Sequence, residues 1–124
     1  MTTQVEPVIR EAFCPYFHHA IELIGARWTG AIIRAMLTGV SRFSDFGQAI
    51  PGLSDRMLSE RLKELETEGI VVREVTPSTP VRVTYHLTDK GRALGAVLES
   101  VSVWAGEWLQ TPPDTCEGQS PAAT

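Results

Sequence analysis

What this chain lacks sets its limits. It has only two cysteines, Cys14 and Cys116, far apart and too few for a disulfide scaffold. Its opening, MTTQVEPVIREAF, has no basic segment followed by an apolar one. Together these predict free thiols in a reducing, cytoplasmic compartment. No apolar run approaches the ~20 residues that a membrane span requires. A Gly-rich phosphate loop, a nucleophile elbow and a carboxylate pair placed for acid–base work are all missing, so neither an enzyme nor a cofactor is expected. Metal ligands are sparse as well. Cys14 and His18 lie four apart, but His19 points elsewhere on a helix, and three such groups do not close a tetrahedral site. Excess positive charge is also lacking, since the net charge is −4. The deficit falls after Arg92, in Glu99, Glu107, Asp114 and Glu117, whereas residues 42–92 are balanced. Phosphate contact depends on where cations sit, so this composition permits a nucleic-acid partner without indicating one.

What is present is one domain's worth of chain. At 124 residues it can bury roughly two-thirds of its unfolded surface without metal or disulfide. The informative stretch runs from Arg42 to Leu65. It predicts a short helix, a turn at Pro51-Gly52, and a longer helix with Ser54 as N-cap and Asp55 in the positive first turn. Leu58, Leu62 and Leu65 fall on one stripe at i, i+4, i+7, and Arg56, Ser59, Glu60 and Lys63 fall on the opposite one. Two helices joined by a turn, the second offering a polar face, is the arrangement that lays a recognition helix in the DNA major groove.

The flanks extend this pattern. Residues 1–13 read as an N-terminal arm, and Pro15 suits the start of a helix that Gly25 stops. Trp28–Leu37 reads as a second amphipathic helix, with Trp28, Ile32, Ile33, Met36 and Leu37 inward. Gly69 ends the recognition helix, and Ile70–Val75 and Val81–Leu87 predict a hairpin around a Pro-rich tip, a wing. Thr88 caps a last helix whose stripe is Leu94, Val97, Leu98, Val101, Trp104 (or Ala105) and Trp108. Residues 111–124, TPPDTCEGQSPAAT, read as a disordered tail. The fold class is thus mainly α with a small β-hairpin wing (α+β), a winged helix-turn-helix domain over residues 14–110.

These residues resemble the HxlR-type transcriptional regulators, a winged-helix branch related to the MarR group. The likeness is carried by Cys14-Pro15, Leu23-Ile24-Gly25-Ala26-Arg27-Trp28, Arg42-Phe43-Ser44-Asp45-Phe46, Ile50-Pro51-Gly52-Leu53-Ser54, Leu58–Leu65 and Tyr85–Gly91. Arg27 stands where the family usually has Lys, and Phe46 where it usually has Leu, so charge and apolarity are kept. The resemblance implies a homodimer, joined through the first and last helices, on a palindromic operator of double-stranded DNA. It also implies that Cys14, at a position where several members sense oxidants or electrophiles, can do so here. A thiol preceding a helix is made more nucleophilic by the helix dipole. The competing role is a small buried apolar residue beside Pro15.

Each candidate has a chemical role. Arg56 can take guanine N7 and O6, and Glu60 can accept from cytosine N4, with Ser59 and Lys63 completing the face. Ser54 at the helix mouth sets backbone amides against a phosphate. Arg42 and Ser44 are candidate phosphate contacts, against the plainer roles of solvated arginine and helix cap. Arg82 near the wing tip suits a phosphate or the minor groove, and Arg73 is the weaker candidate. Arg61 lies nearer the leucines and is expected to pack its stem and pair with a carboxylate. The terminal helices offer more apolar surface than one small core needs, so Phe17, Ile21, Leu94, Val97, Leu98, Val101, Trp104 and Trp108 are candidate dimer contacts. An oxidant or small-molecule effector is the further expected partner. The competing readings are a winged-helix protein-interaction module, or a sensor with a ligand pocket between the N- and C-terminal helices, neither binding DNA.

Overall fold

The computed structural model describes residue 9 and residues 11–110. The expected tail at 111–124, Cys116 within it, and most of the expected arm at 1–13 lie outside those residues. Among the described residues, the helices α1 (Pro15–Ile24), α2 (Thr29–Leu37), α3 (Phe43–Ala49) and α4 (Asp55–Thr67) precede the sheet. The hairpin β1 (Val71–Thr76) and β2 (Arg82–Leu87) follows, then a single turn α5 (Asp89–Arg92) and the long α6 (Leu94–Trp108). This is the expected class, mainly helical with one two-stranded wing.

Local chemistry sets most of these boundaries. Pro15 opens α1 with a fixed φ and no donor to leave unsatisfied. Ser54 Oγ accepts from the Met57 N–H at 3.1 Å and so caps α4. The far end of α4 is a Schellman closure: Gly69 turns left-handed at φ 78°, and the Ile70 N–H returns to the Leu65 carbonyl at 2.9 Å. The core gathers around α4. Leu58, Leu62 and Leu65 are each 1% exposed and pack with Ile32 and Ile33 of α2, Phe46 of α3 and Ile70. Burying each such side chain stabilises the fold by roughly 1.5–3 kcal/mol.

The wing is tied back to the helices. Val71 lies opposite Leu87 and Thr76 opposite Arg82, antiparallel. Tyr85 donates its N–H to the Ser41 carbonyl at 2.9 Å, and Arg42 bridges Thr84, so the chain just before α3 forms a fragment of third strand beside β2. At the base of the wing Thr88 Oγ1 donates to the Gly69 carbonyl at 2.6 Å and accepts from the Gly91 N–H at 3.1 Å. Gly91 is buried there, and a Cβ on it would come 2.3 Å from the Ile70 carbonyl oxygen, closer than atoms can approach. Gly91→Ala is therefore expected to destabilise the protein by about 2–3 kcal/mol, read as a lower urea midpoint at unchanged slope.

Three local expectations are corrected. Trp28 packs against the core as expected, but from outside α2: it is the residue before the helix, at φ 75° and half-buried. Leu37 is exposed, because α2 ends there and the chain turns away through Thr38 and Gly39 at φ 114°. The helix expected from Thr88 onward is two pieces that meet at Ala93.

Candidate DNA-reading face

The α3–turn–α4 unit is held so that one side of α4 faces outward. The turn works because Gly52 takes φ 89° and Leu53 folds into the core, leaving Pro51 and Gly52 at the surface. With the leucines fixed inside, Arg56, Ser59, Glu60 and Lys63 are all exposed on the opposite side. Arg56 Nε pairs with Glu60 at 3.4 Å, one helical turn on, with the arginine side chain 89% exposed. Such a surface pair contributes only a few tenths of a kcal/mol. A bidentate arginine–guanine contact discriminates by about 1–3 kcal/mol, so the pair does not stand in the way of base reading. Lys63 has no ion pair among the described residues. The Ser54 hydroxyl accepts in the cap, and its proton remains available to a phosphate at the helix mouth.

The structure places the remaining candidates around this face. Arg42 is the N-cap of α3 without capping through its side chain, which is exposed, and Ser44 lies in the first turn, not at the cap. Arg73 pairs in register with Tyr85 and Arg82 with Thr76. Alternation then puts Arg73 on the sheet face shared with buried Val71 and Leu87, and Arg82 on the opposite face with Thr84 and His86. The two arginines cannot address the same phosphate from one wing. Arg61 behaves as its position suggests: its side chain is 17% exposed, and it donates to Glu64 at 2.9 Å and to the Arg27 carbonyl at 2.9 Å.

Cys14 is not buried. It is the N-cap of α1, its thiol exposed, and Sγ accepts from the Phe17 N–H at 3.4 Å. The expectation of a small buried residue is corrected on this point. His18 is in ring contact with Phe13 at 5.2 Å.

The terminal helices stay uncovered. Neither α1 nor α6 buries a single residue. At 100° per residue, Leu94, Leu98 and Ala105 on α6 face the core and are half-buried. Val97, Val101, Trp104 and Trp108 continue the same apolar arc outward and are exposed, as are Phe17 and Ile21 on α1. Two surface grooves, of about 260 and 210 Å³, lie between the end of α2 and β2 and between α2 and α6. Neither lies between α1 and α6, the place that the ligand-sensor alternative requires.

Some contacts join residues far apart in the chain and leave no trace in its pattern. The joint between α1 and α2 has Arg27 over the Trp28 ring at 5.2 Å, and the indole lies against Gly52 of the α3–α4 turn. His19 reaches Glu68 at the end of α4. The run Gly25-Ala26-Arg27-Trp28 marked the joint, but a left-handed tryptophan leaves no signal in composition or period.

Comparison with known proteins agrees with this architecture. A family model described as HxlR-like helix-turn-helix matches residues 23–113. The HTH-type transcriptional regulator YvaP of Bacillus subtilis is 52% identical over 96 residues, spanning 77% of this chain and 89% of YvaP. YodB, from the same organism, is 45% identical over 104 residues, 84% of this chain and 93% of YodB. The reduced form of YodB superposes with a TM-score of 0.71 at 46% identity, covering 79% of this chain and 96% of that one. YodB has also been solved diamide-treated and quinone-bound. The redox regulator HypR in its oxidised form gives a TM-score of 0.73 at 35% identity, over 79% of this chain and all of the other (100%). No helix among the described residues is long and apolar enough to cross a membrane. With the matched family model, the curated relatives and an outward recognition helix beside a wing in agreement, this chain belongs to the HxlR-like helix-turn-helix family of transcriptional regulators, and is not an enzyme.

Proposed function

We propose that the protein works as a homodimer on a palindromic operator, its two recognition helices about one helical turn apart, and that thiol chemistry at Cys14 controls release. The observation that carries this reading is the outward polar side of α4, fixed from behind by three buried leucines and flanked by the wing. Arg56, Ser59, Glu60 and Lys63 meet base edges and nearby phosphates. Ser54, Arg42 and Ser44 meet the backbone, with Arg82 and Arg73 on either side of the wing. Phe17, Ile21, Val97, Val101, Trp104 and Trp108 form the two-fold contact, while Leu94 and Leu98 brace α6 on its own core. The exposed capping thiol of Cys14, one turn before Phe17, supports the regulatory part. So does the existence of diamide-treated and quinone-bound forms of the similar YodB.

The test is a gel shift on the upstream region of the protein's own gene at low and high salt. Cys14→Ser is expected to leave operator affinity within about twofold, because the hydroxyl still caps α1. It is also expected to abolish release by diamide or a quinone. Release that persists in Cys14→Ser removes the sensing role and leaves DNA binding standing.

A further inference from the structure

Polar contacts join the recognition helix to the elements that carry the exposed apolar faces, and they converge on Glu68. The Glu68 carboxylate accepts from His19 Nε2 of α1 at 3.1 Å; an ionised carboxylate only accepts, so the imidazole is the donor. The Glu68 backbone carbonyl, left over at the end of α4, accepts from Lys90 Nζ at 2.6 Å. Lys90 belongs to α5, the turn that leads directly into α6. Two turns earlier on α4, Arg61 grips the Arg27 carbonyl in the α1–α2 joint while Glu64 holds the guanidinium. Arg61, Glu64 and Glu68 fall at i, i+3, i+7, a single stripe about a quarter turn from the leucines that borders the reading side where Glu64 follows Glu60 by one turn.

The α1 helix has little else to hold it. None of its side chains is fully buried, and Leu23 is its packing contact with the core. The backbone that follows it is held left-handed at Trp28, a conformation that persists in a non-glycine residue only when the surroundings enforce it. Those surroundings are Arg61 on the preceding carbonyl, Arg27 over the ring and Gly52 beneath it.

We propose that Glu68, assisted by His19 and Arg61, is a positioning residue for operator reading. Its carboxylate fixes the end of the recognition helix to α1, while the backbone carbonyl there, which any side chain leaves in place, holds α5–α6, so the distance and phase between the two recognition helices of a dimer are set at this point. The proposal rests on the dimeric, operator-binding reading above. A surface pair such as His19–Glu68 adds little to folding, so its removal acts on geometry more than on stability.

The experiment uses the full-length protein and its footprinted operator, with derivatives carrying one base pair more or fewer between half-sites. Each base pair moves the second half-site by about 3.4 Å and about 35° around the duplex. The unmodified protein is expected to lose about tenfold or more in affinity on these derivatives. His19→Ala and Glu68→Ala are expected to flatten the series to within about threefold, with the salt slope on the parent operator unchanged. Glu68→Gln, which keeps an acceptor for His19, is expected to restore the preference. A residue of merely structural value lowers affinity at every spacing alike. His19 is 67% exposed, so His19→Ala decides the matter should Glu68→Ala fail to fold. A variant profile parallel to that of the unmodified protein, a Glu68→Gln indistinguishable from Glu68→Ala, or an unmodified protein indifferent to spacing overturns the proposal alone. An unmodified protein that footprints nowhere removes the operator-binding reading with it.

Discussion

Reversing both cations of the reading side, in Arg56→Glu with Lys63→Glu, is expected to lower operator affinity by at least ~10³-fold at moderate salt. Loss of a bidentate base contact accounts for about 1–3 kcal/mol per subunit, and a dimer loses it twice. Replacing a phosphate-facing lysine by a carboxylate adds repulsion and removes close to one unit from the slope of affinity against salt, again once per subunit. Both side chains are exposed and neither touches the core, so the variant is expected to stay folded, its melting point lowered by about 5 °C through the lost Arg56–Glu60 pair and new repulsion with Glu60 and Glu66. Titration by fluorescence anisotropy at several salt concentrations checks the prediction. An unchanged, salt-insensitive affinity would mean that α4 does not face DNA, and would favour a protein-interaction module on the same fold.

Val101→Asp is expected to dissociate the dimer and, with it, operator binding. In the isolated chain this position is 54% exposed, so the carboxylate costs the monomer little. Under a two-fold contact it is buried against apolar neighbours, and symmetry doubles the cost. Desolvating an unpaired carboxylate costs several kcal/mol, enough to raise the dimer dissociation constant by ~10³-fold or more. Sedimentation or light scattering at micromolar concentration reads the change directly. The parent protein should run as a dimer and Val101→Asp as a folded monomer; a parent that is monomeric would undo both the two-fold contact and the palindrome.

Much of the architecture could be read from residue order because its signals are local. Ser54, Thr88 and Pro15 are caps and starts whose chemistry acts within one turn, and the left-handed turns fell on Gly39, Gly52 and Gly69, where φ is positive at no steric cost. The leucine stripe of α4 likewise needed only a period. What escaped depends on contacts distant in sequence. Trp28 carries an apolar side chain at a helical spacing from Ile32, so it reads as core. Its left-handed backbone follows from Arg61 and Gly52, residues 33 and 24 positions on. The pairing of His19 with Glu68 and the bridge from Arg42 to Thr84 are of the same kind. Within the candidate site the outward side of α4 was visible, whereas the opposite facing of Arg73 and Arg82 appeared only with the strand register.

Two of the chain's three tryptophans, Trp104 and Trp108, stand in the open on the outer arc of α6, and the third, Trp28, is half-buried in the joint beside Arg27. Intrinsic emission is thereby split between a pair of indoles that lose water whenever that arc is covered and one that stays put. On the dimeric reading proposed above, the molecule carries its own unlabelled gauge of subunit exchange, one that sits well away from the side chains proposed to face DNA.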